Sequence, residues 1–112
     1  MEDKQLLELA AKAAGIEVKP HTNYKIHKEL IFTSGGRNWN PLTDDGDALR
    51  LAVKLGFSIN IDNVPTDGCC ECTEVEVWQT GDTFIYNFEG DPYAATRRAI
   101  VRAASEIGRG ME

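Results

Sequence analysis

Three groups of residues in this 112-residue chain have the type and spacing to do chemistry. The first is the run CCEC, with Cys69, Cys70 and Cys72. Three thiolates joined by His21 or His27 would make a Cys3His set suited to zinc. Adjacent cysteines do not reach one tetrahedral ion comfortably, so the reading without metal is preferred: unpaired reduced thiols, with redox or intermolecular bridging as the other alternative. The second group is Asp44, Asp45 and Asp47 in WNPLTDDGDALRLAVKLGF, Trp39 to Phe57. Carboxylates so close could hold magnesium, but Asp45 and Asp47 do not share a helical face. Thr43, Asp44 or Asp45 can instead cap a helix, leaving the remaining acids in its first turn, where the dipole favours negative charge. That reading accounts for the acids without a metal.

The third group is basic. Arg97, Arg98 and Arg102 fall within two turns, Arg109 follows, and Arg37 precedes the Trp-Asn-Pro corner. Guanidinium groups bind phosphate bidentately, and Trp39, Trp78 and Tyr86 are the aromatic partners a base would need. Each has a structural alternative: a solvated helix face with Arg102 paired to Glu106, Trp39 packed under the corner, and Tyr86 in the core. The candidate ligand-binding set is therefore Arg37, Trp39, Trp78, Arg97, Arg98 and Arg102, with no metal and no cofactor. No G-x-S-x-G, H-x-x-x-H or G-x-x-x-x-G-K is present, and no nucleophile–base set forms, so enzymatic activity is not expected.

The elements that must position these groups follow from periodicity. Asp3 to Ala14 reads as a helix with Leu6, Leu9, Ala10 and Ala13 as its stripe, Leu7 and Ala14 widening it, and Gly15 as its stop. Between Ile16 and Asn38 only KELIFT, Lys28 to Thr33, has strand character. The corner leads a second helix, with Ala48, Leu49, Ala52 and Val53 expected to be buried, Asp47, Arg50 and Lys54 opposite, and Gly56 at its end. FSINID then alternates, with Phe57, Ile59 and Ile61 on one face. NVPTDGCCEC reads as a loop. TEVEVWQ and TFIYNF flank Gly81-Asp82, a hairpin signal. A turn there pairs Trp78 with Ile85, Val77 with Tyr86 and Val75 with Phe88. It gives a core face of Val75, Val77, Phe84, Tyr86 and Phe88, and a half-apolar face with Trp78 and Ile85. Asp91 and Pro92 open the last helix, whose expected stripe is Tyr93, Thr96, Ile100, Ala103 and Ile107, with Ala99 and Ala104 beside it and Gly108 as its stop.

The expected fold is a single α+β domain over residues 1–112. It is a small α-β-α sandwich whose helices pack on an antiparallel sheet of three to four strands. The net charge of −6 argues against general nucleic-acid binding and fits a basic partner protein, a DNA-mimicking surface or simple solubility. No apolar run has the length of a membrane span, and the acidic, amphipathic N-terminus is unlike a signal peptide. A cytoplasmic protein is expected.

WNPLTDDGDALRLAVKLGF resembles the Trp-Asn-Pro corner and following helix of the phage ABA sandwich domain family. EGDPYAATRRAIVRAASEIG is similar to that family's acid-led, Ala-rich closing helix, and LLELAAKAAGI stands where its opening helix would. The Cys-rich loop and the long segment from Ile16 to Asn38 depart from the family's pattern. The resemblance implies a small phage or prophage accessory protein working in the host cytoplasm. With the arginines and Trp78, it suggests a homo-oligomeric sponge for a nucleotide-type signal of host antiviral defence. The acid run from Glu71 to Glu76 motivates the alternative, a protein-binding inhibitor of a host defence protein or host enzyme in the manner of an anti-CRISPR, or an accessory protein of another role.

Overall fold

The computed structural model describes residues 3–22, 30–34, 37–65 and 71–111. Among them the order is α1 (Asp3–Ala14), β1 (Lys19–Thr22), β2 (Leu30–Ser34), β3 (Arg37–Asn38), α2 (Asp45–Leu55), β4 (Ser58–Pro65), β5 (Glu71–Gln79), β6 (Asp82–Glu89) and α3 (Pro92–Gly110). This is the α+β sandwich expected from the sequence. β4, β5 and β6 form an antiparallel sheet in that order, and β1, β2 and β3 form a second, smaller one. No helix is long and apolar enough to cross a membrane among the described residues.

α3 is the axis of the packing. Its Ala99 and Ala103 lie with Val75 and Val77 of β5, beneath Phe84, Tyr86 and Phe88. Its Ile100, Val101 and Ala104 face a separate cluster with Leu6, Leu7, Ala10, Ala11 and Ala14 of α1, Ala48, Leu51 and Ala52 of α2, and Trp39. A helix held between a sheet and another helix must bury more than one stripe, and small side chains permit the close approach on both sides. This corrects three expectations. In α1 the buried arc is rotated toward Ala11, with Leu9 and Ala13 only half-buried. In α3, Tyr93 is exposed, whereas Ala95, Val101 and Ser105 are buried. Gly108 does not stop α3: the helix runs on to Gly110, with Gly108 buried inside it.

In α2 the expected stripe is half right. Ala48 and Ala52 are buried, but Leu49 is 63% and Val53 72% exposed, while Leu51 and Asp47 take the inner positions. The helix is turned so that Ala48, Leu51 and Ala52 meet the core and Leu49 and Val53 do not. Gly56 ends it in the left-handed conformation at φ 68°, as its position suggested.

The hairpin faces are as expected, but the pairing is not. The turn is Thr80-Gly81, with Gly81 at φ 86°, and Gln79 is paired with Asp82. Trp78 therefore faces Thr83, Val77 faces Phe84 and Val75 faces Tyr86. Each residue's partner differs from the expected one by two positions. Side chains alternate with period two, so this shift keeps every residue on its side of the sheet. β4 also runs on to Pro65, into what reads as loop, pairing Val64 with Cys72. In the smaller sheet, β2 overlaps the expected KELIFT strand from Leu30 to Thr33 and extends to Ser34, whereas nothing in the sequence reading points to β1 and β3. Lys28, Glu29, His27, Cys69 and Cys70 lie outside the described residues. The helices gather on one face of the larger sheet. Its other face presents Ser58, Asn60, Asp62, Trp78, Thr83, Ile85 and Asn87 as exposed residues.

Candidate functional site

The acidic corner is occupied by its own structure. Asp44 is the N-cap of α2, and its carboxylate accepts the Asp47 N–H at 2.8 Å. Asp47 is 5% exposed; its carboxylate accepts the Asn40 N–H at 3.0 Å and an Arg50 N–H at 2.6 Å. Asn40 in turn accepts the Leu42 N–H at 3.0 Å, closing an Asx-type turn over the buried Pro41. Asp45 does not cap: it receives Arg97 at 2.6 Å. A buried carboxylate needs its hydrogen bonds made, and this one ties the Trp-Asn-Pro corner to the first turn of α2. Trp39 is 7% exposed beneath that corner.

The candidate ligand residues separate into several places. Arg97 donates to the Leu42 carbonyl at 2.9 Å as well as to Asp45, and its side chain is largely covered. It clamps α3 to the corner. Trp39 is part of the α1–α2 core cluster. Trp78, at 38% exposure, is on the sheet face away from the helices. Arg37 is placed in β3, opposite Ser34. Arg98 and Arg102 come together, as their i,i+4 spacing implies.

With Arg98 and Arg102, the structure assembles Arg109, Ser105, Glu106 and Leu6 around a cavity of about 370 Å³ beside α1. Arg98 reaches Asp3 at 3.1 Å, and Arg109 reaches Glu106 at 3.5 Å. Arg102 has no carboxylate within 4.0 Å among the described residues; instead its guanidinium stands 5.0 Å from the centre of the Tyr86 ring. Arg102 and Glu106 also line a second cavity of about 340 Å³, on the sheet side, with Thr83, Phe84, Ile85 and Tyr86. The two cavities thus share a wall, cationic chemistry lying on one side and aromatic surface on the other. Burial pushes the Tyr86 phenol above its ordinary pKa; the Arg102 charge pulls it down and the Glu106 charge pushes it up.

Sequence reasoning missed Ser105 and Phe84. Ser105 sits on the buried flank of α3, where its hydroxyl donates to the Arg102 carbonyl at 2.7 Å. In the sequence Tyr86 reads as an aromatic partner for a base with core packing as its alternative, and the contact it makes with Arg102 depends on how β6 packs against α3. The i,i+4,i+8 row of Arg98, Arg102 and Glu106 was the available signal.

A third cavity, of about 540 Å³, lies between the first turns of α2 and α3 over β4, and is mainly apolar. Ile59 and Ile61 line its β4 side, and Leu49 and Tyr93 its helices.

Comparison of the chain with protein-family models, with curated proteins and with solved structures returns no match.

Proposed function

We propose that this chain is a non-enzymatic binding protein that sequesters a small anionic ligand of the nucleotide class. The observation that carries the reading is Arg102: a guanidinium without a carboxylate partner among the described residues, standing between an arginine-lined cavity and an aromatic-lined one. On a chain of net charge −6, an anion is held where local positive charge outweighs the overall field. Arg98, Arg102 and Arg109 supply that charge, Asp3 and Glu106 offset part of it, and Arg102 supplies planar donors for phosphate oxygens. Tyr86 and Phe84 offer the ring surface for a base. The resemblance of the corner and closing helix to the phage ABA sandwich family supports a phage accessory role in the host cytoplasm, with counter-defence as its purpose.

The test is thermal unfolding with a panel of linear and cyclic nucleotides and cyclic ADP-ribose derivatives. A ligand at a hundredfold excess over its Kd adds about 2.7 kcal/mol of stability. Arg102→Glu, with its fold verified by circular dichroism, should abolish that gain. A parent protein indifferent to the whole panel, or an Arg102→Glu variant that responds like the parent, overturns the reading.

The second reading, an inhibitor that binds a host defence protein, is favoured by the open sheet face. There Glu74 and Glu76 flank the exposed Trp78 and Ile85, an acidic and half-apolar surface suited to a basic partner. Capture of a host protein that is lost with Trp78→Ala and Ile85→Lys, and kept with Arg102→Glu, would decide for it.

A further inference from the structure

We infer that β4 is a self-association edge, and that two copies of this chain join through it into one continuous six-stranded antiparallel sheet. β4 is the outer strand of the β4-β5-β6 sheet, and among the described residues no strand pairs with its free side. An edge of eight residues, Ser58–Pro65, is a template for another strand unless something blocks it. The usual blocks are scarce here: its single charge is Asp62, and its proline stands at the far end.

The apolar surface beside this edge points the same way. Leu49, Val53, Ile61 and Tyr93 are exposed, and three of the four, Leu49, Ile61 and Tyr93, line the 540 Å³ groove over β4. Leu49 and Val53 are one turn apart on α2, which leads directly into β4. An exposed apolar strip of this kind beside an open edge marks an association surface. The other edge, β6, lacks it on the helix side, its exposed Ile85 standing on the opposite face. On the helix side Arg102 covers Tyr86, and charged Glu106 lines the adjoining cavity.

A second copy is the occupant that the β4 sequence fits. A two-fold axis at Ile61 sets Ile61 against its own counterpart and Asn60 against Asp62 of the other copy. In the single chain the Asn60 amide already donates to the Asp62 carboxylate at 3.2 Å, and the paired strands offer the same chemistry across the axis. An axis one residue further on would set Asp62 against Asp62, a like-charge pair that disfavours that register. The closed two-fold arrangement uses the same patch on both copies and leaves no free β4 edge. It is independent of the arginine site, which lies along the middle and end of α3.

The experiment is sedimentation equilibrium in reducing buffer, so that Cys69, Cys70 and Cys72 do not cross-link. The parent chain is expected at twice its 12.4 kDa mass. Ile61→Lys and Val53→Lys are expected to give folded monomers, since both positions are already exposed, while Ile85→Lys on the open sheet face leaves the dimer intact. Amide exchange gives an independent readout: alternate β4 amides, those turned away from β5, should become protected as concentration rises. A parent that remains monomeric up to its solubility limit overturns the inference. So does a dimer that Ile61→Lys and Val53→Lys leave unchanged.

Discussion

Gly108 of α3 lies against the backbone of Leu9 in α1: a Cβ at Gly108 would overlap the Leu9 carbonyl oxygen and stand 2.8 Å from its carbonyl carbon. Backbone cannot swing aside as a flexible side chain can. In an exposed helix interior, alanine in place of glycine stabilises by roughly 1 kcal/mol. Here the sign should reverse. Gly108→Ala is expected to cost about 1–3 kcal/mol, as overpacking does, in urea unfolding. Gly110, where a Cβ would meet nothing within 4 Å, is the control: Gly110→Ala should be neutral or slightly stabilising. A stabilising Gly108→Ala would mean that α1 and α3 do not approach this closely.

The acidic corner predicts an order of effects. Asp44→Ala removes a cap and should cost roughly 0.5–2 kcal/mol. Asp47→Ala strands the Asn40 N–H and removes a buried acceptor from Arg50, so its cost should reach about 1–3 kcal/mol and exceed that of Asp44→Ala. Asp45→Ala releases one of the two contacts of Arg97, on a carboxylate that is largely exposed, and should be the mildest of the three. Denaturant unfolding of the three variants checks the ranking. Equal losses at all three positions would contradict the separate roles of these carboxylates.

What could be read in the sequence was whatever depends on near neighbours. The caps at Asp91-Pro92, the stop at Gly56 and the alternation of β4 and the hairpin are local, and each is where the residues put it. The hairpin turn, read one residue too late, is a local error; the others arise mostly where a partner outside the element decides. α3 buries residues on both sides because α1 returns across it, from the other end of the chain. Asp47 reads as a solvated acid until the backbone of Asn40 is seen to need an acceptor. Arg97 reads like its neighbours Arg98 and Arg102, yet Asp45 and Leu42, more than fifty residues away, claim it. The candidate site was legible to the same extent: the helical row of Arg98 and Arg102 is local, whereas its aromatic wall belongs to β6.

Alkaline titration tests the contact between Arg102 and Tyr86. Burial holds the Tyr86 phenol above its ordinary value, and Arg102 opposes the rise. Arg102→Gln should therefore move the Tyr86 midpoint further up, visible in tyrosinate absorbance as a difference that disappears in a Tyr86→Phe background. A phenol whose folded pKa is raised contributes stability fully below its unfolded value, about 10, and loses it as pH rises through the folded value. The parent should thus lose more stability than Tyr86→Phe above about pH 10. A midpoint that falls in Arg102→Gln would place the guanidinium elsewhere.

The two tryptophans can report which face of the sheet a ligand uses. Trp39 is buried under the corner, and Trp78 is partly exposed on the sheet face away from α3. In Trp78→Phe, the remaining Trp39 emission should resist iodide; in Trp39→Phe, the Trp78 emission should be quenched, provided that the loss of Trp39 leaves the fold intact by circular dichroism. A nucleotide held by Arg98 and Arg102, with its base against Tyr86, lies on the helix side of the sheet. Binding there should leave the iodide sensitivity of Trp78 unchanged while quenching tyrosine emission. Stacking on Trp78 would do the reverse, shielding that indole from iodide and leaving tyrosine emission as it was. Protection of Trp78 by a ligand that Arg102→Glu still binds would move the site to the open face of the sheet. The helix-side cavities would then be left as ordinary solvated surface, with Arg102 held in place by its contact with Tyr86.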